Sequence, residues 1–161
     1  MTSQLECSEQ EVSPPATGAL ARLVAETLLS REGTGVAWDL RLEDARPGYA
    51  VVAMMVRPDM TNGHGTIHGG MIFALADSAF AYACNSRNVA SVAQSASVIF
   101  LAPARAGEDL VAEAREVAVM GRSGCYEVSV RTRCGRSIAH FQGHSRSLGT
   151  PVIENPGAAD D

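Results

Sequence analysis

The chain has 161 residues, a formal charge of −5 and 46% apolar residues, which fits one domain with a sizeable core. All 13 basic residues are arginine, so a lysine Schiff base or any other lysine nucleophile is excluded, and the acidic balance points away from nucleic acid. No run of about 18 apolar residues predicts a transmembrane helix, and the polar, acidic opening MTSQLECSEQEVSPP does not read as a signal peptide.

Residues 1–15 are expected to be a disordered tail, 16–149 a single domain and 150–161 a flexible tail. Cys7, Cys84, Cys125 and Cys134 have no metal or redox spacing and read as reduced thiols of a cytoplasmic protein. From Ala16 to Arg31, Leu20, Leu23, Val24, Leu28 and Leu29 form a helical stripe that Gly33 and Gly35 stop. Val36–Glu43 alternates apolar and polar residues, which predicts a half-buried strand. DARPG then predicts a turn, and Tyr49–Val56 a second, more apolar strand.

Asp59–Ile67 is a loop, and from Met71 to Cys84 the chain is apolar except for Asp77. That segment predicts a buried helix of about four turns carrying one carboxylate. Four strands are expected after it: Val89–Phe100, Leu110–Met120, Cys125–Arg133 and Ser137–Ser147. Short turns between the later ones imply antiparallel pairing. The fold class is therefore α+β: a curved antiparallel sheet that must wrap the long helix to bury it on every side.

The residues around the start of that helix carry the chemistry. Gly69 and Gly70 keep side chains away from the first turn, where free N–H groups and the positive end of the helix dipole can hold an oxyanion. A simple turn would use the same glycines, and Asp77 alone could be a merely satisfied buried acid. Together they offer the two parts an acyl-transfer site most needs. Asp77 lies eight residues beyond Gly69, about 12 Å along a helix. If both act on one bond, the acid must come from a second copy of the chain, which predicts at least a dimer. Asn62 in the preceding loop suits either a carbonyl or water contact or a plain turn. His64 and His68 are four apart, but Gly63 and Gly65 flank His64 and no third ligand is near, so no metal site is expected.

The order of elements resembles the hotdog fold, in which a sheet wraps a central helix. The run NGHGTIHGGMIFALADSAFAYACNS resembles the PaaI-type acyl-CoA thioesterases, including those acting on phenylacetyl-CoA in phenylacetate catabolism. VIFLAPARAGEDLVAEA and HFQGHSRSLG fit the same family, and the resemblance spans roughly Leu20 to Gly149. It implies that Asp77 is the base or nucleophile and that the Gly69 N–H polarises the thioester carbonyl. It further implies that His68 and Asn62 support the carbonyl and the attacking water, with Gly70 beside them against the substrate. The two halves of each site would come from opposite subunits of a homotetramer built as a dimer of dimers. An acyl-CoA is the implied substrate, with no metal or bound cofactor.

Two departures stand out. Ala102 precedes Pro103 where many relatives carry arginine, so Arg105 or Arg122 would have to meet the coenzyme phosphates. Gln94 and Ser95 occupy the strand region where relatives place Ser, Thr or Asp near the acid, and either would orient water or line the acyl pocket. Phe80, Tyr82 and Phe100 could form an aromatic acyl pocket or simply pack the core. Aromatic phenylacetyl-type thioesters, hydroxylated ones included, lead as substrates. Medium-chain acyl-CoA hydrolysis, enoyl-CoA hydration and non-catalytic acyl-CoA binding are the alternatives.

Overall fold

A computed structural model describes residues 18–154. Helix α1 (Gly18–Arg31) packs Ala21, Val24 and Ala25 inward, and Leu28 continues the stripe. Helix α2 (Gly33–Ala37) is followed by strands β1 (Arg41–Arg46) and β2 (Tyr49–Met55), a 3-10 turn (Pro58–Met60) and the long helix α3 (Gly69–Asn85). Strands β3 (Ser91–Phe100), β4 (Asp109–Met120), β5 (Ser123–Thr132) and β6 (Ser137–Ser147) complete the fold. The six strands form one antiparallel sheet, ordered β1-β2-β4-β5-β6-β3, curved around α3. This is the hotdog arrangement.

The first hairpin differs from its sequence reading. Val36 is not in a strand: α2 winds through it, with Trp38 N–H donating to Thr34 O at 2.9 Å and Leu40 N–H to Gly35 O at 2.9 Å. A side chain at Gly35 would begin 2.6 Å from Leu29 Cδ1, so glycine lets the chain reverse tightly against α1. The strand instead runs through Asp44-Ala45-Arg46, and the turn shrinks to Pro47-Gly48, with Arg46 paired to Tyr49. Pro followed by Gly48 at φ +72° suits the central positions of a type II turn. The alternation misled because β1 carries a bulge at Glu43, between Leu42 and Asp44, which shifts the register of everything after it.

The late strands are not a simple meander either. β4, β5 and β6 are consecutive neighbours, but β3 pairs with β6 rather than β4. Helix α3 carries the chain across the sheet, so β3 forms the far edge. Its outer side has no strand partner among the described residues, although Val92, Ile99 and Phe100 are exposed on it. A ten-residue, largely uncharged edge is a template for pairing with another chain.

Phe80 meets Tyr126 and Phe141 in edge and tilted ring contacts beneath the sheet. A Cβ at Gly143 would fall 2.9 Å from both Phe80 and Phe141, so only glycine lets the sheet approach these rings. The sheet does not bury α3 on every side, as its composition suggests. Met71, Phe73, Ala74, Asp77, Ala81 and Cys84 remain half-open along one stripe at helical spacing.

After β6 the chain folds back. Leu148 N–H donates to Ala90 O, and Asn88 Oδ1 accepts from the N–H groups of Val152 and Ile153. Thr150–Ile153, at the start of the tail expected to be flexible, thus hydrogen-bond to the segment before β3, while residues 1–15 and 155–161 lie outside the described residues. Among the described residues no helix is long and apolar enough to cross a membrane.

Candidate active site

The loop before α3 is built by its own side chains. Asn62 Oδ1 accepts from His64 N–H at 2.9 Å and from Thr66 N–H at 3.3 Å, and Asn62 N–H donates to Thr66 O at 2.7 Å. Two backbone bonds pin the loop's end: Ile67 N–H to Ala104 O in the loop after β3 and His68 N–H to Met60 O in the 3-10 turn, both 2.8 Å. His68 is the N-cap of α3, and its Nδ1 accepts from Gly70 N–H at 3.0 Å. A neutral ring accepting there carries its proton on Nε2.

One N–H of the first helical turn is left open. Gly70 is satisfied by His68, and Met71 and Ile72 donate to His68 O. The Gly69 N–H has no hydrogen bond among the described residues. Gly69 lines a groove of about 350 Å³ together with Asn62, Thr66, Ile67, Phe100 and Pro103, among others. The Phe100 ring lies against Gly69 so closely that a Cβ there would begin 3.0 Å from its Cζ. An unpaired N–H at a helix N-terminus is a ready acceptor site for a carbonyl oxygen.

Asp77 sits on the half-open stripe of α3, without a hydrogen-bond partner among the described residues. Burial raises its carboxyl above the ordinary carboxylate range. Its charge is felt two turns on at Cys84, whose thiol is pushed up to about 12, first by burial and then by Asp77. Cys84 is thus a neutral thiol and no nucleophile at neutral pH. Among the described residues Asp77 does not line the Gly69 groove, in keeping with the roughly 12 Å of helix between them.

The other candidate residues are distributed unevenly. Asn62 joins Gly69 in one groove, with its carboxamide oxygen already committed to the loop. His68 and Gly70 line a neighbouring recess with Asp59, Met60, Thr61 and Met71. Gln94 and Ser95 do not line the helix side of the sheet. Gln94 is the extra residue of a bulge in β3, and Ser95 Oγ lies 3.1 Å from His144 Nδ1, in an outer-face recess shared with Met120 and Cys125. The bulge breaks the period of two from which an inward-facing position would be read.

Arg122 donates through Nε and Nη2 to Ser147 O at 3.0 and 2.8 Å, which ties down the strand end opposite the Gly69 groove. Arg105 follows Pro103, which lines the groove, by two positions; its backbone N–H donates to the Glu108 carboxylate, which also feels its charge, and its guanidinium makes no hydrogen bond among the described residues. Sequence reasoning missed Arg136, which donates to Pro103 O at 2.6 Å and so braces the groove's rim. Its turn, Cys-Gly-Arg, gives no local sign of a neighbour 33 residues away. Among the described residues no group of three or more His, Cys, Asp or Glu side chains could hold a metal ion.

Residues 64–139 match the model of the thioesterase superfamily. Over 105 residues the chain is 42% identical to the acyl-coenzyme A thioesterase PaaI of Escherichia coli, covering 65% of this chain and 75% of that protein. The chain belongs to the thioesterase superfamily. It is of the PaaI type and a hydrolase of thioester bonds. The solved structure of the Escherichia coli PaaI protein, from the phenylacetic acid degradation operon, superposes with a TM-score of 0.81 at 34% identity, over 83% of this chain and 97% of that one. A mutant of the phenylacetic acid degradation protein PaaI from Thermus thermophilus gives 0.70 at 40% identity, over 73% and 100%.

Proposed function

We propose that this thioesterase hydrolyses aromatic acyl-CoA thioesters of the phenylacetyl type, at a site shared between two subunits. The observation that carries the reading is the pairing of an open Gly69 N–H with an uncommitted Asp77 on the unburied stripe of the same helix. Two α3 helices packed antiparallel would bring Gly69 of one subunit level with Asp77 of the other. The two-fold axis would then pass beside Phe73, midway between them and also half-open. The unpaired edge of β3 supports the same pairing, since two such edges can join into one continuous sheet.

In the reaction the Gly69 N–H holds the thioester oxygen while Asp77 of the partner subunit takes a proton from water. The water oxygen bonds to the carbonyl carbon, and the C=O electron pair moves onto the oxygen. Collapse of that oxyanion breaks the C–S bond and releases coenzyme A thiolate and the acid. An alternative first step is direct attack by the carboxylate, giving an anhydride that water then opens. A free thiol has a pKa of roughly 8.5, so the leaving group needs no strong general acid. His68 fixes the helix start through Gly70, and Asn62 shapes the loop that faces the carbonyl. Arg105, two residues beyond Pro103, would meet the coenzyme phosphates. The chemistry requires neither metal nor bound cofactor. Assembly of two dimers into a tetramer, and a cytoplasmic role in phenylacetate breakdown, rest on the family resemblance and on the operon of the Escherichia coli relative.

The test is thiol release from phenylacetyl-CoA and a medium-chain acyl-CoA, by wild type, Asp77→Asn, Gly69→Val and a refolded mixture of the two variants. Each variant alone is expected to lose at least about 100-fold, and the mixture to regain turnover because one site of each mixed dimer is intact. A mixture as dead as its components would sink the shared site. Equal turnover by Asp77→Asn and wild type would sink the mechanism.

A further inference from the structure

The start of the connection from β3 to β4 forms one wall of the Gly69 groove, through Phe100, Leu101, Ala102 and Pro103. The wall hangs on the start of β6. Leu101 N–H and Ala102 N–H both donate to Ile138 O, at 2.8 and 3.3 Å. Beyond them the chain turns through Pro103, which has no N–H of its own to anchor it. Its carbonyl is held by a side chain instead: Arg136 Nη1 donates to Pro103 O at 2.6 Å. The next carbonyl, Ala104 O, accepts from Ile67 N–H at 2.8 Å. Arg136 therefore acts one residue away from the bond that ties this wall to the start of α3.

Arg136 is itself held in place. Its N–H donates to Thr132 Oγ1 at 3.1 Å and its carbonyl accepts from Thr132 N–H at 2.9 Å, across a turn that Gly135 closes at φ +92°. Its second nitrogen, Nη2, donates to Glu108 Oε1 at 2.5 Å, and Glu108 Oε2 accepts from Arg105 N–H at 2.6 Å. One planar guanidinium thus clamps the connection at both Pro103 and Glu108, which suits its fixed fork of donors. The side chain of Arg136 is 43% exposed and that of Glu108 31%. Water therefore screens the pair, and its contribution to global stability is small. No other group among the described residues donates to Pro103 O. What the clamp fixes is the position of the wall.

We propose that Arg136 is a positioning residue for thioester hydrolysis, setting where the groove wall stands relative to the Gly69 N–H. The inference rests on the reading of that N–H as the donor to the thioester oxygen. Without the guanidinium, Pro103 O loses its donor, and main-chain bonds at Ile138 and Ile67 alone hold the wall. The Phe100 ring, packed against Gly69, then moves with it. A misplacement of about 1 Å can cost roughly 100-fold in rate.

The experiment measures kcat and KM for phenylacetyl-CoA and for phenylacetyl-N-acetylcysteamine, which keeps the thioester but carries no phosphate. Wild type is compared with Arg136→Met, which retains much of the apolar stem, and with Arg136→Lys. Arg136→Met is expected to lose at least about tenfold in kcat on both substrates, with KM within about twofold and melting within a few degrees of wild type. Arg136→Lys is expected to regain part of the lost kcat, because an ammonium can meet one of the two acceptors. A loss confined to phenylacetyl-CoA and carried by KM would mean that Arg136 binds the coenzyme, and overturns the proposal. So does an unchanged kcat on both substrates, or a Met variant that melts more than about 10 °C lower. The Gly69 amide resonance is followed by NMR in glycine-labelled protein, and Arg136→Met is expected to shift it while leaving that of Gly143 in place. If wild type turns over neither thioester, the thioesterase reading fails. A Gly69 resonance that Arg136→Met leaves unmoved sinks the positioning role whether or not there is turnover.

Discussion

Replacing Gly69 by alanine separates what the helix start does for folding from what it does for chemistry. The new Cβ would begin 3.0 Å from Phe100 Cζ and 3.3 and 3.4 Å from the two Cε atoms. The ring must therefore give by a few tenths of an ångström. In the single chain it has room to do so: Phe100 is 51% exposed at the end of the edge strand. An off-rotamer adjustment costs about 0.5–1.5 kcal/mol, and alanine returns up to about 1 kcal/mol of helix propensity over glycine. Gly69 does not have a positive φ, so no backbone strain is added. The net stability change is therefore within about 1 kcal/mol, a melting shift of only a few degrees. The methyl group, however, stands beside the groove into which the proposed mechanism brings the thioester oxygen toward the Gly69 N–H. Loss of one such donor typically costs about 100- to 1000-fold in kcat. Thermal unfolding followed by circular dichroism, run beside thiol release from phenylacetyl-CoA, reads both effects. A variant that loses about 3 kcal/mol of stability would show that the glycine serves packing. A stable variant with wild-type turnover would show that nothing docks at this N–H.

Gly143→Ala has a similar nominal clash and the opposite expected outcome. Its Cβ would lie 2.9 Å from Phe80 and Phe141, both fully buried with nowhere to move. A loss of about 1–3 kcal/mol is expected in chemical denaturation, and an unchanged midpoint would refute the packing argument. Asp77→Asn is expected to be more stable than wild type at neutral pH. Burial raises the folded carboxyl above its unfolded value, so the ionised form favours the unfolded chain. The gap between the two proteins should close as pH falls through the folded pKa and vanish below the unfolded one. A gap of constant size from pH 7 down to strongly acidic pH would mean that burial is not the cause. The acidic limb of the wild-type kcat profile should likewise lie above the ordinary carboxylate range, and a limb at the usual value would contradict a desolvated base.

Much of this protein was legible in its sequence. Residues 71–84 announced a largely buried helix because a long apolar run without a breaker favours the interior. Alternation located β4, β5 and β6 to within two residues at either end, since a half-buried strand writes its period directly into the chain. Gly69 and Asp77 also fall where the sequence placed them, at the start and along the length of one helix, eight residues apart.

What alternation could not report were places where the chain breaks its own period. The bulge at Glu43 moved β1 into residues read as a turn, and the bulge at Gln94 turned Ser95 to the outer face beside His144. Nor could local pattern place β3 at the far edge of the sheet, or leave one stripe of α3 half-open. Both depend on where a helix carries the chain across six strands. The contacts that shape the grooves are equally remote in sequence: Phe100 against Gly69, Arg136 on Pro103 and Tyr82 on Glu32. Composition and period fix which residues must leave water. Which distant side chains then meet is decided only when the sheet closes around the helix.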